Sequence, residues 1–191
     1  MKKIISLFQR NYEGNRFVRD EVVPGAEWVI AGEGVATEKY DGTCCMIRDG
    51  ILYKRFDAKK GKQPPPNFEP AQDPDPVTFH WPGWVPVGDG PEDKWHRMAT
   101  WGCVRDCTCE LVGPKINGNP HNLDVHALWQ HGVPLIDVPP RDYEGIKAYL
   151  ASHSIEGIVW HHPDGRMVKI KRKDFGLPWP CPPRGHGGVK P

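Results

Sequence analysis

Glu38-Lys39-Tyr40-Asp41-Gly42 is the stretch on which the reading of this chain turns. A hydrophobic approach (Val29, Ile30, Val35) leads into it, and an apolar exit (Cys44, Cys45, Met46, Ile47) follows. Asp-Gly is a turn dipeptide, because both residues tolerate the backbone angles of a tight reversal. The pattern predicts a lysine held at a strand end, at the mouth of a loop. Taken alone, the five residues fit an ordinary solvent-facing strand end better than a site. The rest of the chain decides.

Working outward, residues 43–48 and 51–56 read as two strands around Asp49-Gly50, a strong short hairpin signal. Pairing across that two-residue turn places Arg55 opposite Cys44 and returns it to the neighbourhood of Lys39. Upstream, residues 3–8 fit a strand or a short helix, and residues 16–23 a strand ending at Pro24-Gly25. Residues 28–30 and 35–39 bracket Gly32-Glu33-Gly34. Downstream, residues 63–91 carry nine prolines together with Trp81 and Trp84. Proline interrupts both helices and central ladders, so this stretch reads as an elaborated loop ordered by its tryptophans.

Further along, residues 92–99 fit a short helix, with Glu92, Asp93 and His96 read as its solvated start in preference to an extra metal or substrate contact. Residues 107–112 fit a strand ending at Gly113-Pro114, and 123–129 fit another. Asp142 is a plausible N-cap, followed by Tyr143, Ile146 and Leu150 at helical spacing, a core-facing stripe. Residues 155–161 and 166–171 form a second hairpin around Pro163-Asp164-Gly165. With a two- or four-residue loop, Trp160 would face Lys169, and Glu156, Lys169 and Lys171 would share one face. A three-residue loop would separate Glu156 from the lysines.

The expected fold is a single α+β domain of mainly antiparallel sheets over residues 1–177, with a Pro/Gly-rich tail at 178–191. With 21 Pro and 21 Gly, the chain favours strands and turns over a helix bundle. The net charge of +1 hides two basic blocks, 54–62 and 166–173, which suit a polyanion partner better than uniform charge would. The start is too short for a secretory leader and no apolar run approaches a membrane span, which points to a cytoplasmic protein. Six cysteines then read as reduced thiols. Cys103, Cys107 and Cys109 match no common zinc spacing.

Lys39 is a candidate nucleophile, Arg55 an anion clamp, and Lys169 and Lys171 further anion binders. Glu110 and Glu156 are acceptors for a ribose or a metal ion. Together these residue types suit attack by lysine on the α-phosphate of a nucleoside triphosphate. The amine must be neutral to attack, and the phosphate charge must be met by cations.

At this point the motifs resemble a family. Lys39-Tyr40-Asp41-Gly42 resembles the K-x-D-G motif of covalent nucleotidyltransferases, the polynucleotide ligases and messenger-RNA capping enzymes. Glu110-Leu111-Val112-Gly113 resembles their third motif, Glu156-Gly157-Ile158-Val159 their fourth, and Val168-Lys169-Ile170-Lys171 their fifth, in family order. Residues 38–45 and 176–180 are most similar to a small ATP-dependent 5′–3′ RNA ligase group with a vertebrate member.

The resemblance implies a nucleotidyltransferase (ligase adenylation) fold and an ATP-dependent RNA ligase acting through lysyl-AMP. Lys39 would be the nucleophile, with Lys169, Lys171 and Arg55 on the phosphates. Glu110 would hold the ribose, and Glu156 a magnesium or manganese ion. Glu38, Tyr40, Asp41 and Gly42 would shape the nucleotide loop, and Trp129 would stack on adenine. The expected partner is RNA with 5′-phosphate and 3′-hydroxyl ends, acted on by a monomer away from membranes. Only 20 residues follow Lys171, too few for the oligonucleotide-binding-fold domain of DNA ligases and capping enzymes. Two other readings are an adenylyltransferase that stops before sealing and a non-catalytic binding module. The sharpest spatial expectation is that Lys39, Glu110, Glu156, Lys169 and Lys171 share one pocket.

Overall fold

A computed structural model describes residues 4–59, 61, 63–101, 105–135 and 137–181. Lys60 and Lys62 of the first basic block, Cys103, and the tail from residue 182 onward lie outside the described residues. The strands, numbered along the chain, are β1 (Ile5–Ser6), β2 (Phe8–Arg10), β3 (Val18–Val22), β4 (Val35–Lys39), β5 (Thr43–Arg48), β6 (Ile51–Ala58), β7 (Glu69–Pro70), β8 (Trp81–Pro86), β9 (Thr100–Trp101), β10 (Cys107–Val112), β11 (Ala127–Gln130), β12 (Gly157–His161) and β13 (Met167–Lys171). The helices are α1 (Glu27–Ile30), α2 (Lys94–Met98) and α3 (Tyr143–Ser152). Strand pairing is mostly antiparallel, while β9 runs parallel to β11. The mixed α and β content with mostly antiparallel sheets is the expected class.

The chain divides into two compact units, one of Met1–Ile5 and Tyr40–Pro134, the other of Ser6–Lys39 and Leu135–Pro191. The boundary falls on the peptide bond between Lys39 and Tyr40.

The unit that holds Lys39 is built on a sheet ordered β1-β13-β12-β4. Ile158, Trp160, Val168 and Ile170 alternate onto one face and are almost wholly buried. The stripe Ile146, Tyr149 and Leu150 of α3 joins them, with Leu7, Phe8 and Val18. Burying each such side chain contributes about 1.5–3 kcal/mol. Asp142 caps α3 as expected, its carboxylate accepting from Gly145 N at 2.8 Å.

Residues 27–30 form the short helix α1. Gly32, at φ +93°, ends the turn, and the Arg141 guanidinium donates to the carbonyls of Val29 (2.9 Å), Glu33 and Gly34 (2.8 Å). Arg141 thus ties the end of α1 to the turn that follows it.

The other unit is a seven-stranded sheet ordered β7-β8-β6-β5-β10-β11-β9. Cys45, Ile47, Cys109, Leu111 and Leu128 line its buried face with Leu52 and Ile116. The β5–β6 hairpin has the expected register: Cys45 pairs with Lys54 and Arg48 with Ile51.

The proline-rich stretch departs from expectation, because β8 lies inside it and pairs with β6 from Tyr53–Pro86 to Ala58–Trp81. Pro82 O accepts from Ala71 N at 2.9 Å, so residue 82 turns its polar backbone groups away from β6. Pro86, four residues on, faces the same way, and the missing donors cost the β6 ladder nothing. Another correction concerns Asp93. It is 2 % exposed and ion-paired to Lys54, which occupies that lysine of the first basic block.

Candidate active site: a lysine–glutamate hairpin and a polar sheet face

Lys39 is the last residue of β4, and its partner across the ladder is Gly157. Gly157 also pairs with Lys171 on its other side. Both lysines therefore flank one glycine, and the reason for glycine is steric. A Cβ at position 157 would stand 2.2 Å from Ile170 O and 2.9 Å from Lys171 Cα. Lys169 follows two residues before Lys171 and pairs with Val159, so it shares the lysine face.

This register is one residue away from the expected one. His162 N donates to Arg166 O at 2.9 Å, leaving Pro163-Asp164-Gly165 as a three-residue loop, and Trp160 faces Val168 rather than Lys169. The predicted separation of Glu156 from the lysines does not follow. Glu156 lies one residue before β12 begins, so strand alternation does not fix its side chain. It meets Lys39 Nζ at 2.6 Å, with the two side chains 11 % and 23 % exposed respectively. Its backbone carbonyl is held by Arg172 N at 2.8 Å.

The electrostatics of this face agree with its geometry. Burial pushes the Lys169 ammonium below the usual lysine range, and the neighbouring charges of Lys39 and Lys171 push it further down. Burial raises the Glu38 carboxyl. Thr37, buried in the same strand, donates to Val159 O at 3.0 Å and pins β4 to β12 just before Lys39.

The other candidates gather in the second unit. Tyr40-Asp41-Gly42 is held by the loop after β10. Asp41 N donates to His121 Nε2 at 3.1 Å, and Asn117 Nδ2 donates to Asp41 Oδ1 (2.8 Å) and to Gly42 O (2.9 Å). Gly42 has no room for a side chain, since a Cβ would lie 2.2 Å from Leu111 O.

Glu110 pairs with Cys44 on β5 and with Trp129 on β11, so the three share the face opposite the core. The Glu110 carboxylate meets His131 Nε2 at 2.8 Å. Trp129 stands 4.9 Å from the Tyr40 ring and 4.9 Å from His121. Arg55 stacks over Trp84 at 4.9 Å, and burial lowers its guanidinium despite the pull of Cys44 and Asp57.

His131, His121 and Asn117 were not anticipated. His131 was within reach of sequence reasoning, since two residues past Trp129 is the same face of an extended strand. The loop holding Asn117 and His121 has no periodicity to read; its asparagines at 117, 119 and 122 sit at positive φ.

Comparison with known proteins adds similarities to this geometry. Residues 98–185 match the family profile described as RNA ligase 1. The match is to RNA ligase 1. That span contains Glu110, Trp129, His131, Glu156, Lys169 and Lys171 and begins after Lys39. RNA ligase 1 of Danio rerio is 28% identical over an alignment 221 positions long, covering 76% of this chain and 68% of the relative. RNA ligase 1 of Mus musculus is 28% identical over 229 positions, covering 78% and 68%. For Rattus norvegicus RNA ligase 1 the identity is 27% over 224 positions, covering 78% and 69%. The resemblance read from the motifs is borne out as similarity to RNA ligase 1. No helix among the described residues is long and apolar enough to cross a membrane.

Proposed function

We propose that this protein is an ATP-dependent RNA ligase with a nucleotidyltransferase fold that works through a covalent lysyl-AMP. The observation that carries the reading is the grouping of Lys39, Glu156 and Lys171 around Gly157, with Lys169 on the same face. A lysine used only as a strand end needs neither a buried carboxylate partner nor two further lysines beside it.

In the first step the neutral Lys39 amine attacks the α-phosphorus of ATP. A P–N bond forms, and the bond to the pyrophosphate oxygen breaks. Lys169 and Lys171 take the phosphate charge, and Arg55 serves as an additional clamp. Glu110 holds the ribose and Trp129 stacks on the adenine, while Glu38, Tyr40, Asp41 and Gly42 shape the loop around the nucleotide. Glu156 offers the carboxylate oxygens that hard divalent ions prefer, so it is the residue to hold magnesium or manganese. Such an ion would supply charge neutralisation at the phosphates.

In the second step a 5′-phosphate oxygen of RNA attacks the adenylyl phosphorus and displaces Lys39. The RNA 3′-hydroxyl then attacks the activated 5′-phosphorus and releases AMP. A reduced, cytoplasmic setting suits a chain that keeps Cys44, Cys45, Cys107, Cys109 and Cys181 out of disulfides.

The test is incubation with α-labelled ATP and magnesium, followed by denaturing electrophoresis. The expected result is a covalent label that disappears in Lys39→Ala and is discharged by 5′-phosphorylated RNA with production of sealed strands. A label that survives Lys39→Ala overturns the assignment of the nucleophile. Adenylylated RNA that is never sealed replaces the ligase with an adenylyltransferase.

A further inference from the structure

We propose that Cys44, Glu110 and His131 form a site for a thiophilic divalent cation of the zinc class, and that this ion competes with the nucleotide for Glu110. The metal site stands on its own geometry; the competition rests on the nucleotide reading above. One ligand atom from each of the three side chains lies within 4.8 Å of the other two. Tetrahedral zinc, at about 2.3 Å from sulfur and about 2.0 Å from nitrogen or oxygen, sets its ligands roughly 3.5 Å apart. Rotation of the three side chains is the adjustment that such a set needs to reach that spacing.

The sheet itself delivers the donors. Cys44 and Glu110 stand directly opposite each other in the ladder between β5 and β10. His131 follows β11 on the same face, anchored by its N–H to Thr108 O at 3.1 Å. Thiolate, imidazole and carboxylate are the donors that zinc accepts, whereas magnesium avoids sulfur. Three protein ligands leave a fourth position open.

The bond between His131 Nε2 and Glu110 satisfies one ring nitrogen, but Nδ1 is buried with no hydrogen-bond partner. Nε2 is the nitrogen placed beside the carboxylate, so an ion at this site would replace that bond. Arg55 feels the charge of Cys44, so an ion would share that one ligand with a guanidinium. That favours a reversible site over a permanent structural one.

The experiment titrates the full chain with cobalt(II) and follows the thiolate-to-cobalt absorption, with zinc as displacer and no nucleotide present. The wild type should show the band. Cys44→Ser should lose it, and His131→Gln should weaken the apparent affinity at least about 10-fold. Cys181→Ser should keep it unchanged. Circular dichroism of each variant separates lost ligation from lost folding; if Cys44→Ser does not fold, His131→Gln decides. A band that persists in Cys44→Ser, or that His131→Gln leaves unaltered, overturns the site.

In the labelling assay, zinc should suppress lysyl-AMP formation at fixed magnesium, and added ATP should restore it. Cys44→Ser should tolerate about 10-fold more zinc. Inhibition that ATP does not relieve overturns the competition. Failure to form lysyl-AMP at any metal concentration removes the ligase reading and leaves the cobalt result standing.

Discussion

The two units solve the problem of holding polar side chains in opposite ways. Around Lys39 the lysines stand on β4 and β13 either side of Gly157, whose missing Cβ makes room for the β13 backbone, and Glu156 stands just before β12. Around Glu110 the sheet positions Cys44, Glu110 and Trp129, but the partners that finish the face come from loops and strand ends: His121, Asn117 and His131. In the first unit a backbone register does the positioning. In the second, side-chain hydrogen bonds and ring contacts do.

If that contrast is right, the largest effect comes from Gly157. Gly157→Val forces a branched side chain against Ile170 O and should cost about 4 kcal/mol, or prevent folding, in urea unfolding. At Gly165, the loop tip of the same hairpin, a Cβ would meet nothing within 4 Å, and only the φ of +89° opposes a side chain. Gly165→Ala should therefore cost about 1 kcal/mol. Equal costs at the two positions would mean that the closeness of the strands at Gly157 is not what the site depends on.

Next in size is Glu156→Gln, which keeps the shape and removes the charge. Lysyl-AMP formation should fall about 100-fold. The urea midpoint should move far less than in Gly157→Val. Unchanged labelling would reduce the Lys39–Glu156 contact to a structural ion pair. The corresponding change in the other unit is Trp129→Ala. It should raise the ATP concentration needed for half-maximal labelling about 10-fold with little change in the maximal rate, the loss expected of one stacked ring. A fall in maximal rate with no change in half-saturation would place Trp129 in the support of the Tyr40 loop instead of against the base.

The same contrast explains what could be read from the residues. The first hairpin was legible because Asp49-Gly50 leaves only a two-residue turn, and that fixes Cys45 against Lys54. The second is open by one residue because Pro163-Asp164-Gly165 is compatible with several loop lengths, and period-2 alternation turns a one-residue difference into a change of face. Lys169 and Lys171 stayed together because they shift as one; Glu156 stayed with them only because it stands before the strand. α3 was legible from its cap and its stripe. β8 was hidden because its prolines suggest a loop, until the direction of their missing donors is known. His121 and Asn117 reach Asp41 across 80 and 76 residues of chain, and no local pattern encodes such a contact.

The smallest expected effect is the one that sets stability against chemistry. The Lys169 ammonium is lowered from its usual 10.5, chiefly by burial, with Lys39 and Lys171 adding to the shift. Between the folded and unfolded values the unfolded chain binds more protons, so this residue makes stability rise with pH through that interval. Below it, folding carries the full penalty of burying a charged amine near two others. Lys169→Met keeps the stem and removes the charge. It should raise the thermal midpoint at pH 7 by about 2 °C, and the gain should shrink as the pH approaches 10.5. Labelling with ATP should fall in the same variant, because the phosphates lose a cation. A variant that is less stable at pH 7 would mean that Lys169 is held by favourable contacts rather than kept for its charge. One that is more stable yet inactive would mark the lysine face as a surface maintained for an anion.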